Sequence, residues 1–402
     1  MADDLLTIDE ALALVLENVS ALEAEDVPLA DADGRVLAEP ARSAVDLPPF
    51  PSSAMDGFAL RAADAPGTLP VVAQIAAGRP APRPLESGEV MAISTGGVVP
   101  DGADSVVPIE LVEERDGGDG SLTVVISGNV ALADNVRHRG GDLREGDLVV
   151  AAGVRLGPVH VGALAASGVT SVRCTRVPRV AIIVTGSELR APGERLEPGQ
   201  IYDANGFILA AQLRSTGAVV ERLPPVADDE AATRAAIERG LAADVLVTTG
   251  GVSVGVHDLV RATEAELGVE EIFWRVAMQP GKPVAFGVRD RTLVFGLPGN
   301  PVSSLVGFEL FVRPALLALQ GLADPKPSFR PGRLGGPAKR LAARDALLRA
   351  RTRVDGDAVL LDPLTGQQSH MIAQAATADA LVLVPQGEGE LAAGSPVSYL
   401  QL

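Results

Sequence analysis

The chain of 402 residues has few of the residues from which metal-binding and nucleophilic sites are most often built. Cysteine occurs once, at Cys174, which excludes a disulfide framework and a cysteine-based zinc site. The four histidines show no metal-ligand spacing, and we assign none of them as a ligand. A Walker A loop and a Cys/His pair are also missing. Cys174 is expected to be a small core residue.

Aromatic residues make up only 3% of the chain, so its cores must be built from Ala, Val and Leu. The hydrophobic content of 47% is ordinary for a globular protein. No apolar run is long enough to span a bilayer, and the acidic N-terminal segment lacks the basic and apolar parts of a signal peptide. We therefore expect a cytoplasmic protein without a membrane partner.

The chain also lacks net positive charge, because its formal net charge is −18 and its pI is about 4.7. Nucleic acid is not expected as a partner, since phosphate backbones require a basic surface. A small anionic substrate is not excluded, because it needs only local positive charge.

The most informative stretch is VLVTTGGVSVGVHD. Its β-branched run at 245–248 predicts a buried strand, and Gly250, Gly251 and Gly255 follow in a turn. Asp258 stands where the N-cap of the next helix is expected. Such a turn binds anions, because free N–H groups and the helix dipole favour negative charge. For this one loop, a tight turn without a ligand is an equally good interpretation.

Two further strand ends nearby have the same character. Residues 180–184 run into the polar loop 185–188, and residues 292–296 run into LPGNPVSS. In the latter, Asn300 is a natural N-cap and Pro301 a natural first helical residue. Ligands bind beyond the carboxyl ends of parallel strands, so three such ends favour one shared site over three empty turns.

The alternation of elements predicts an α/β multidomain protein. Residues 178–327 predict a central, doubly wound parallel α/β domain. An N-terminal α+β region at 5–43 plus 140–177 is interrupted by an inserted β-rich domain at 44–139, and residues 328–402 predict a small β-barrel or sandwich. The strands expected in the central domain are 180–184, 218–223, 245–248 and 293–296, and the helices are 204–216, 229–241, 258–267 and 302–319.

Local signals predict four further features. Thr7 is a helix N-cap with Glu10 at the capping-box position. A second short helix is expected to begin near Asp31. A helix is expected from Pro158 and is predicted to pack against the first one. The turn-rich segment 113–121 predicts a hairpin tip.

Charged side chains at loop tips indicate chemistry. Carboxylates recur there, at Asp56, Asp142, Glu188, Asp228 and Asp258. Any one of them alone is best explained as a cap or turn residue. Together with a phosphate-binding loop they could hold Mg²⁺, which prefers carboxylates, phosphate oxygens and waters. Lys282, fixed in the turn QPGKP, is a plausible anion contact, although a solvated turn lysine would be favoured if it stood alone.

These segments resemble the signatures of the MoeA family, the molybdopterin molybdenumtransferases, which includes the E domain of gephyrin. The resemblance covers essentially the whole chain, in the family's order. Any one block is weak, whereas the series is highly specific. The blocks are SSAMDGFA at 52–59, STGG at 94–97, RHRGGD at 137–142, TGSEL at 185–189, GQIYDAN at 199–205, TTGGVSVG at 248–255, PGKP at 280–283 and GLPGNPVS at 296–303.

The resemblance implies a reaction and its setting. Adenylylated molybdopterin and molybdate would react, with Mg²⁺, to give molybdenum cofactor and AMP. The central domain would be MogA-like, as in the related molybdopterin adenylyltransferases. The protein would be a homodimer whose active-site cleft is reached by both subunits. Contact with a molybdopterin adenylyltransferase and with molybdoenzyme clients is implied as well.

The resemblance also implies residue roles. Catalysis would involve Glu188, Asp228, Asp258 and Lys282, with Asp228 and Asp258 also holding the metal. Molybdate would contact Lys282, Ser303, Arg349 and Ser369. Asp56, Thr95 and Asp142 would line the cleft from the inserted domain and serve the partner's site. The loops at 185–188 and 249–255 would hold the pterin phosphate and the nucleotide. The further substrate-binding residues implied are Thr185, Gly186, Asp203, Asn205, Gly250, Gly251, Ser253, Gly255, Pro298, Gly299 and Asn300.

The chain departs from the family pattern at three positions. Gln279 replaces the first lysine of KPGKP, so one positive contact near molybdate is missing. Phe58 replaces a tyrosine, and Ser187 replaces the aspartate of TGDE, while Glu188 is kept.

Two other functions remain open. An adenylyltransferase would need only the α/β domain, so the flanking domains count against it. A non-enzymatic scaffold could dispense with Asp228, Asp258 and Lys282, all of which are present.

Overall fold

A computed structural model describes residues 5–117, 120–227, 229–250 and 259–402 of the chain. Helix α1 (Ile8–Glu17) begins at the predicted capping box, in which Glu10 N–H donates to Thr7 Oγ1 at 3.2 Å. The buried face of α1 packs into the core of the α/β domain. Strands β1 (Ala24–Pro28) and β2 (Ala41–Arg42) follow, separated by the single 3₁₀ turn Leu29–Asp31.

The short helix expected from Asp31 is wrong. Beyond the 3₁₀ turn, Val36 and Leu37 form antiparallel bridges with Arg155 and Cys174. Gly34 has a φ of +76°, outside the helical region, and backbone pairing with a distant segment replaces helical hydrogen bonds. Tertiary pairing therefore overrides the local helical pattern.

The inserted segment forms a six-stranded sheet. Its strands are arranged in the order β7-β4-β6-β5-β9-β8, and only β5 and β6 run parallel. Strands β8 and β9 form a hairpin, as the sequence predicts for 113–121. β3 and β10 pair in a separate ribbon. The strands are β3 (Ser52–Ser53), β4 (Gly57–Leu60), β5 (Gly67–Ile75), β6 (Val90–Ile93), β7 (Ser105–Pro108), β8 (Val112–Asp116), β9 (Leu122–Ile126) and β10 (Val136–Arg137), with 3₁₀ turns at Ala62–Asp64 and Ile109–Leu111.

The chain then returns to the N-terminal region as β11 (Leu148–Val150), α2 (Pro158–Ala166) and β12 (Ser171–Thr175). β11 pairs with β2 and β12 pairs with β1. The helix at Pro158 is confirmed, but its predicted packing against α1 is wrong. Leu164 of α2 lies in a cluster with Leu37, Cys174 and their neighbours, whereas the buried face of α1 lies in the α/β core.

The α/β domain is built on a six-stranded sheet in the order β16-β13-β17-β21-β20-β18. The first four strands are parallel and match the predicted ones, whereas β18 and β20 are antiparallel and were not predicted. The strands are β13 (Arg179–Val184), β14 (Leu189–Arg190), β15 (Ile201–Tyr202), β16 (Val219–Arg222), β17 (Val245–Thr249), β18 (Glu270–Trp274), β19 (Met278–Gln279), β20 (Ala285–Arg289) and β21 (Thr292–Leu297).

Helices cover both faces of this sheet, as a doubly wound domain requires. They are α3 (Asn205–Ser215), α4 (Glu230–Gly240), α5 (Leu259–Glu266) and α6 (Pro301–Leu319), which contains the π-helical stretch Phe308–Val312. α1, α3 and α6 pack on one face, and α4 and α5 pack on the other. By composition alone α6 could cross a membrane, but 72% of its most apolar stretch is buried, so it is a core helix.

The C-terminal segment is a closed five-stranded barrel. β24 pairs with β25 and β26, and the ring closes through β22 and β28. β19 of the preceding domain pairs in parallel with β24, which fastens the two domains together. The elements are β22 (Arg330–Leu334), β23 (Ala338–Lys339), β24 (Asp345–Asp355), β25 (Ala358–Pro363), α7 (Ile372–Ala375), β26 (Ala380–Val384), β27 (Glu390–Leu391) and β28 (Pro396–Gln401).

Candidate functional site

A cavity of about 400 Å³ opens where β13, β17 and β21 end, at the carboxyl edge of the parallel strands. The starts of α3 and α6 and the parallel pair β14–β15 complete its wall. Open α/β sheets bind ligands at this edge. The residues of the predicted site that line the cavity are Thr185, Gly186, Glu188, Asp203, Asn205, Gly250, Gly299 and Asn300.

The ends of the three strands approach one another closely. Thr185 N–H donates to Thr249 O at 3.0 Å, and Gly250 N–H donates to Leu297 O at 3.3 Å. Gly250 has a φ of +90°, and a Cβ at this position would lie 2.5 Å from Thr185 O. Only glycine fits such a position without displacing its neighbour. The glycine after β17 therefore sets the spacing of the cavity floor.

Asn205 ties the start of α3 to the two loops beside it. Its side-chain nitrogen donates to Thr249 Oγ1 at 2.9 Å and to Gly299 O at 2.8 Å. The residue is 7% exposed, and its Oδ1 has no hydrogen-bond partner. Asn205 Oδ1 is thus a buried acceptor at the wall of the cavity that no described residue satisfies.

A hydroxyl network behind Asn205 fixes the turn before α6. Thr249 Oγ1 donates to Pro298 O at 3.1 Å, and the hydroxyl of Ser304 donates to the same oxygen. Thr249 and Ser304 are fully buried. The sequence interpretation missed both residues, although a threonine at the end of a strand and a double serine in a first helical turn are detectable signals. Pro298 lies in this second layer.

Two carboxylates line the cavity before α3. Asp203 is 4% exposed, and its Oδ1 accepts the N–H of Gly206 at 2.8 Å, which satisfies a free donor of the first helical turn. Glu188 is exposed, and its carboxylate lies against Gly186. The described residues that line the cavity include no lysine and no arginine.

The C-terminal barrel reaches the cavity through the loop 364–371, which contributes His370 to the lining. Arg349, only 1% exposed, organises this loop. Its guanidinium donates to three loop carbonyl oxygens, those of Gly366 at 2.8 Å, Met371 at 3.0 Å and Gln368 at 3.2 Å. Burial lowers the pKa of the Arg349 guanidinium, which remains charged because an unperturbed arginine titrates far above neutral pH. Arg349 therefore fixes the position of His370 and of Ser369.

The residues predicted to contact molybdate come together at the start of α6. Ser303 lies in its first turn and is 4% exposed, and Ser369 O accepts the N–H of Val302 at 3.0 Å. A Cβ at Gly281 would lie 3.5 Å from Ser303 O, so the turn that carries Lys282 packs against the same helix end. Lys282 is half-buried, and its ammonium makes no hydrogen bond or ion pair with a described residue.

The residues predicted from the inserted domain are only partly together. Asp56 Oδ1 accepts the N–H of Thr95 at 2.7 Å, which places these two exposed residues side by side. Asp142 is exposed in a different turn, where its N–H donates to Leu47 O at 3.0 Å.

The predicted metal site cannot be described from its own residues. Asp228 and Asp258, together with the predicted substrate contacts Gly251, Ser253 and Gly255, lie outside the described residues. Within the described ranges, no group of three or more His, Cys, Asp or Glu side chains is arranged to hold a metal ion.

Three family models match the chain in order. The MoeA N-terminal region (domains I and II) matches residues 6–168, a probable molybdopterin-binding domain matches residues 181–318, and the MoeA C-terminal region (domain IV) matches residues 331–402. A relative from Mycobacterium tuberculosis named molybdopterin molybdenumtransferase 2 is 36% identical over 418 residues, covering 98% of this chain and 99% of its own. The chain belongs to the MoeA family.

Other MoeA relatives agree. The molybdopterin molybdenumtransferase of Haemophilus influenzae is 37% identical, with 79% of this chain and 78% of its own covered. A crystal structure of a molybdopterin biosynthesis MoeA protein from Pyrococcus horikoshii has a TM-score of 0.84 at 26% identity and covers 99% of this chain and 100% of its own. The multidomain fold expected from the sequence is therefore confirmed, with its MogA-like central domain and C-terminal barrel.

Sequence reasoning did not indicate two residues that line the cavity of this MoeA chain. His370 was set aside with the other histidines because they lack metal-ligand spacing. Its position next to Ser369, in a segment expected to contact an anion, was the available signal. Tyr202 lines the cavity from β15, and its hydroxyl donates to Glu194 O at 2.8 Å. Tyr202 lies in the block GQIYDAN at 199–205, which was the available signal for it.

Proposed function

We propose that the protein is a molybdopterin molybdenumtransferase that converts adenylylated molybdopterin and molybdate into molybdenum cofactor and AMP. The observation that carries the proposal is the convergence of Lys282, Ser303 and Ser369 at the start of α6. The three residues come from separate segments, and the turn that carries Lys282, whose ammonium no described residue binds, packs against the first turn of α6. A tetrahedral dianion such as molybdate is bound by cations, hydroxyls and backbone N–H groups.

Arg349 supports this anion site from behind. Its hydrogen bonds hold the loop that carries Ser369. The guanidinium also adds a positive charge. Because it is buried, water and salt screen this charge only a little. We therefore propose that Arg349 positions Ser369 and strengthens the local field, whether or not it also touches molybdate.

The cavity beside the anion site supplies the space for the organic part of the substrate. Its volume of about 400 Å³ lies in the range typical of small-molecule sites. The proposed division places molybdate at the start of α6 and the organic ligand over the ends of β13 and β17. Asn300, which precedes α6 and lines the cavity, lies at the junction of the two.

Mg²⁺ is part of the proposal as the ion that would neutralise the phosphates of the adenylate. The proposed protein ligands are Asp228 and Asp258. Glu188 is a described carboxylate at the cavity that suits the same oxygen-rich chemistry. The described residues otherwise make the site by shape and hydrogen bonding.

The experiment measures AMP release from adenylylated molybdopterin, with and without molybdate. The buffer matches the cytoplasm, where we expect the protein to act. Molybdate should stimulate release by the wild-type protein. Lys282→Ala should raise the molybdate concentration required by about ten- to a hundredfold, because a charge-assisted contact contributes about 1.5–3 kcal/mol. Lys339→Ala, which removes an exposed lysine of the barrel, is the matched control and should behave like wild type.

The same assay separates the other functions. Consumption of ATP with molybdopterin in the absence of molybdate would indicate an adenylyltransferase. An absence of AMP release in every condition, with molybdopterin still bound, would indicate a scaffold. Either result would contradict the proposal.

We also propose that the protein acts as a homodimer in which Asp56 of one subunit serves the site that contains Lys282 of the other. Contact with a molybdopterin adenylyltransferase and with molybdoenzyme clients belongs to the same proposal. With molybdate kept at a concentration that suffices for the wild type but not for Lys282→Ala, the Asp56→Ala and Lys282→Ala proteins should each have little activity alone. After subunit exchange, the mixture should recover about a quarter of wild-type activity, because half of the dimers are mixed and each has one intact site. No recovery in demonstrably mixed dimers would place both residues in the same subunit's site.

A further inference from the structure

Two polar atoms at the cavity have no hydrogen-bond partner among the described residues, although both side chains are more than nine-tenths buried. They are Thr185 Oγ1 and Asn205 Oδ1, on residues that are 9% and 7% exposed. A buried polar atom without a hydrogen bond costs about 1–3 kcal/mol. Native proteins rarely tolerate two such atoms in the lining of one cavity unless something else binds them.

The orientation of the Asn205 side chain is fixed by its neighbours. Its nitrogen donates to Gly299 O, a carbonyl oxygen that can only accept. A flipped amide would place two acceptors against each other, so Oδ1 must be the atom that is left over. That atom accepts hydrogen bonds and cannot donate them, so its missing partner must carry an N–H or an O–H group.

The carboxylates around these two atoms are hydrogen-bond acceptors as well. Asp203 adds a buried carboxylate to the lining, and only one of its oxygens is engaged, by Gly206 N–H. Glu188 adds a second carboxylate, and the described lining contains no lysine or arginine. A phosphate group would meet two carboxylates here, and the Thr185 hydroxyl would be the one side-chain donor that the described residues of the floor leave available to it. A phosphate group also carries no donor for Asn205 Oδ1, so this part of the cavity is unsuited to a phosphate.

We propose that the floor formed by Thr185, Asp203 and Asn205 is a subsite for a neutral, donor-bearing edge of the substrate. The identity of that substrate rests on the proposed function. Two parts of adenylylated molybdopterin have this chemistry, the amino and ring N–H groups of the pterin and the hydroxyl groups of the nucleotide ribose. The phosphates then lie outside this floor, toward the start of α6. For Thr185, this assignment replaces the expectation that the loop at 185–188 holds the pterin phosphate.

Thr185→Val tests the inference because it should lower the affinity for the ligand without lowering the melting temperature. Removal of a hydroxyl with a purely structural role would lower the melting temperature and leave the affinity unchanged. Valine keeps the shape and removes the unpartnered hydroxyl, so the melting temperature should stay the same or rise. Affinity for the donor-bearing ligand should fall by about five- to tenfold, the loss expected for one neutral hydrogen bond. Isothermal titration calorimetry with 6-hydroxymethylpterin, AMP and inorganic pyrophosphate separates the sources. Weaker pterin binding alone assigns the pterin edge, and weaker AMP binding alone assigns the ribose.

Two variants control the measurement. Thr216→Val removes the hydroxyl of another buried threonine, which donates to Leu213 O at 2.7 Å. That variant should lower the melting temperature and leave all three affinities unchanged. Thr185→Ser restores the hydroxyl and should restore the affinity that Thr185→Val loses.

Several results would overturn the inference. Affinities unchanged by Thr185→Val would mean that water satisfies the two atoms, and weaker pyrophosphate binding would mean that the floor takes phosphate. A wild-type protein that binds neither the pterin nor AMP would refute it as well. Failure of the inference alone would leave the molybdate-stimulated AMP release of the wild type intact. If instead the proposed function failed, the wild type would show no molybdate-stimulated AMP release. Thr185→Val would still bind the donor-bearing ligand more weakly than the wild type.

Discussion

Strands β13 and β17 have two ends of opposite character. At the amino ends, Asp244 accepts the Arg179 N–H at 2.8 Å and both terminal nitrogens of Arg176, at 2.6 and 2.8 Å. Glu23 extends this network, because it accepts from Arg176 at 3.0 Å and from Arg291 at 3.1 Å. Asp244, Arg176, Glu23 and Arg291 are therefore paired with one another at this end. The network joins the N-terminal segment to the α/β domain.

At the carboxyl ends of the same strands, polar atoms are buried without partners. Thr185 follows β13 and Asn205 begins the next helix, and each has an atom that nothing described here satisfies. Both strands are mostly apolar, with an arginine at the amino end of β13 and two threonines at the carboxyl end of β17. Complete pairing is what stability favours, whereas unfilled hydrogen-bonding capacity is what a ligand requires. The comparison therefore separates the part of the sheet that holds the domain together from the part that binds.

The largest effect on stability is expected for Asp244→Ala. Asp244 is 17% exposed, and its removal takes away the acceptor of the Arg179 N–H and leaves Arg176 with the exposed Glu23 as its ion-pair partner. We expect a loss of about 2–3 kcal/mol, because a partly buried ion pair and three hydrogen bonds are broken. Calorimetry should show a melting temperature that is lower by about 4–12 °C. AMP release at low temperature should remain, since the change lies at the opposite edge of the sheet.

The pH dependence of this effect has a defined sign. Burial acts to raise the pKa of Asp244, but the hydrogen bonds from Arg176 and from the Arg179 N–H outweigh it, and the pKa is lowered. A carboxyl group whose folded pKa lies below its unfolded value of about 3.9 stabilises the fold fully above that value. The contribution is lost as the pH falls through the folded pKa. The difference in melting temperature between wild type and Asp244→Ala should therefore be full at neutral pH and shrink below about pH 4. A difference independent of pH would mean that packing, not charge, is lost.

Most of the fold could be predicted from the sequence, because the parallel strands are short β-branched runs between helical patterns. β18 and β20 were missed for a physical reason. β18 begins with Glu270 and Glu271, which lie exposed at the edge of the sheet, so it does not form an apolar run. β20 contains Gly287, a residue that weakens the strand pattern. Edge strands depend on their partner more than on their own composition.

The site could be predicted where it consists of strand ends and not where another domain contributes to it. Gly250 and Asn300 are recognisable from local turn chemistry. His370 is not, because its place at the cavity depends on the hydrogen bonds that Arg349 makes to the loop 364–371. Likewise, the hydrogen-bonding direction of Asn205 depends on Gly299 O, a contact between residues 94 positions apart in the chain. Such contacts exist only after the domains have folded and docked.

The smallest effect on stability is expected for Arg239→Ala. This variant tests whether an exposed ion pair stabilises the protein as much as the partly buried pair at the amino ends of the strands. Arg239 pairs with Glu221 on the edge strand β16, but their side chains are 66% and 49% exposed. Solvent-exposed pairs contribute only about 0.2–0.5 kcal/mol, since water competes for both partners. The melting temperature should fall by less than about 2 °C, and about 0.5 M salt should remove the difference by screening. The same salt should leave most of the Asp244→Ala effect in place, because that carboxylate is screened less. Equal losses for the two variants would mean that the number of ion pairs, and not their burial, distinguishes the two ends of the sheet.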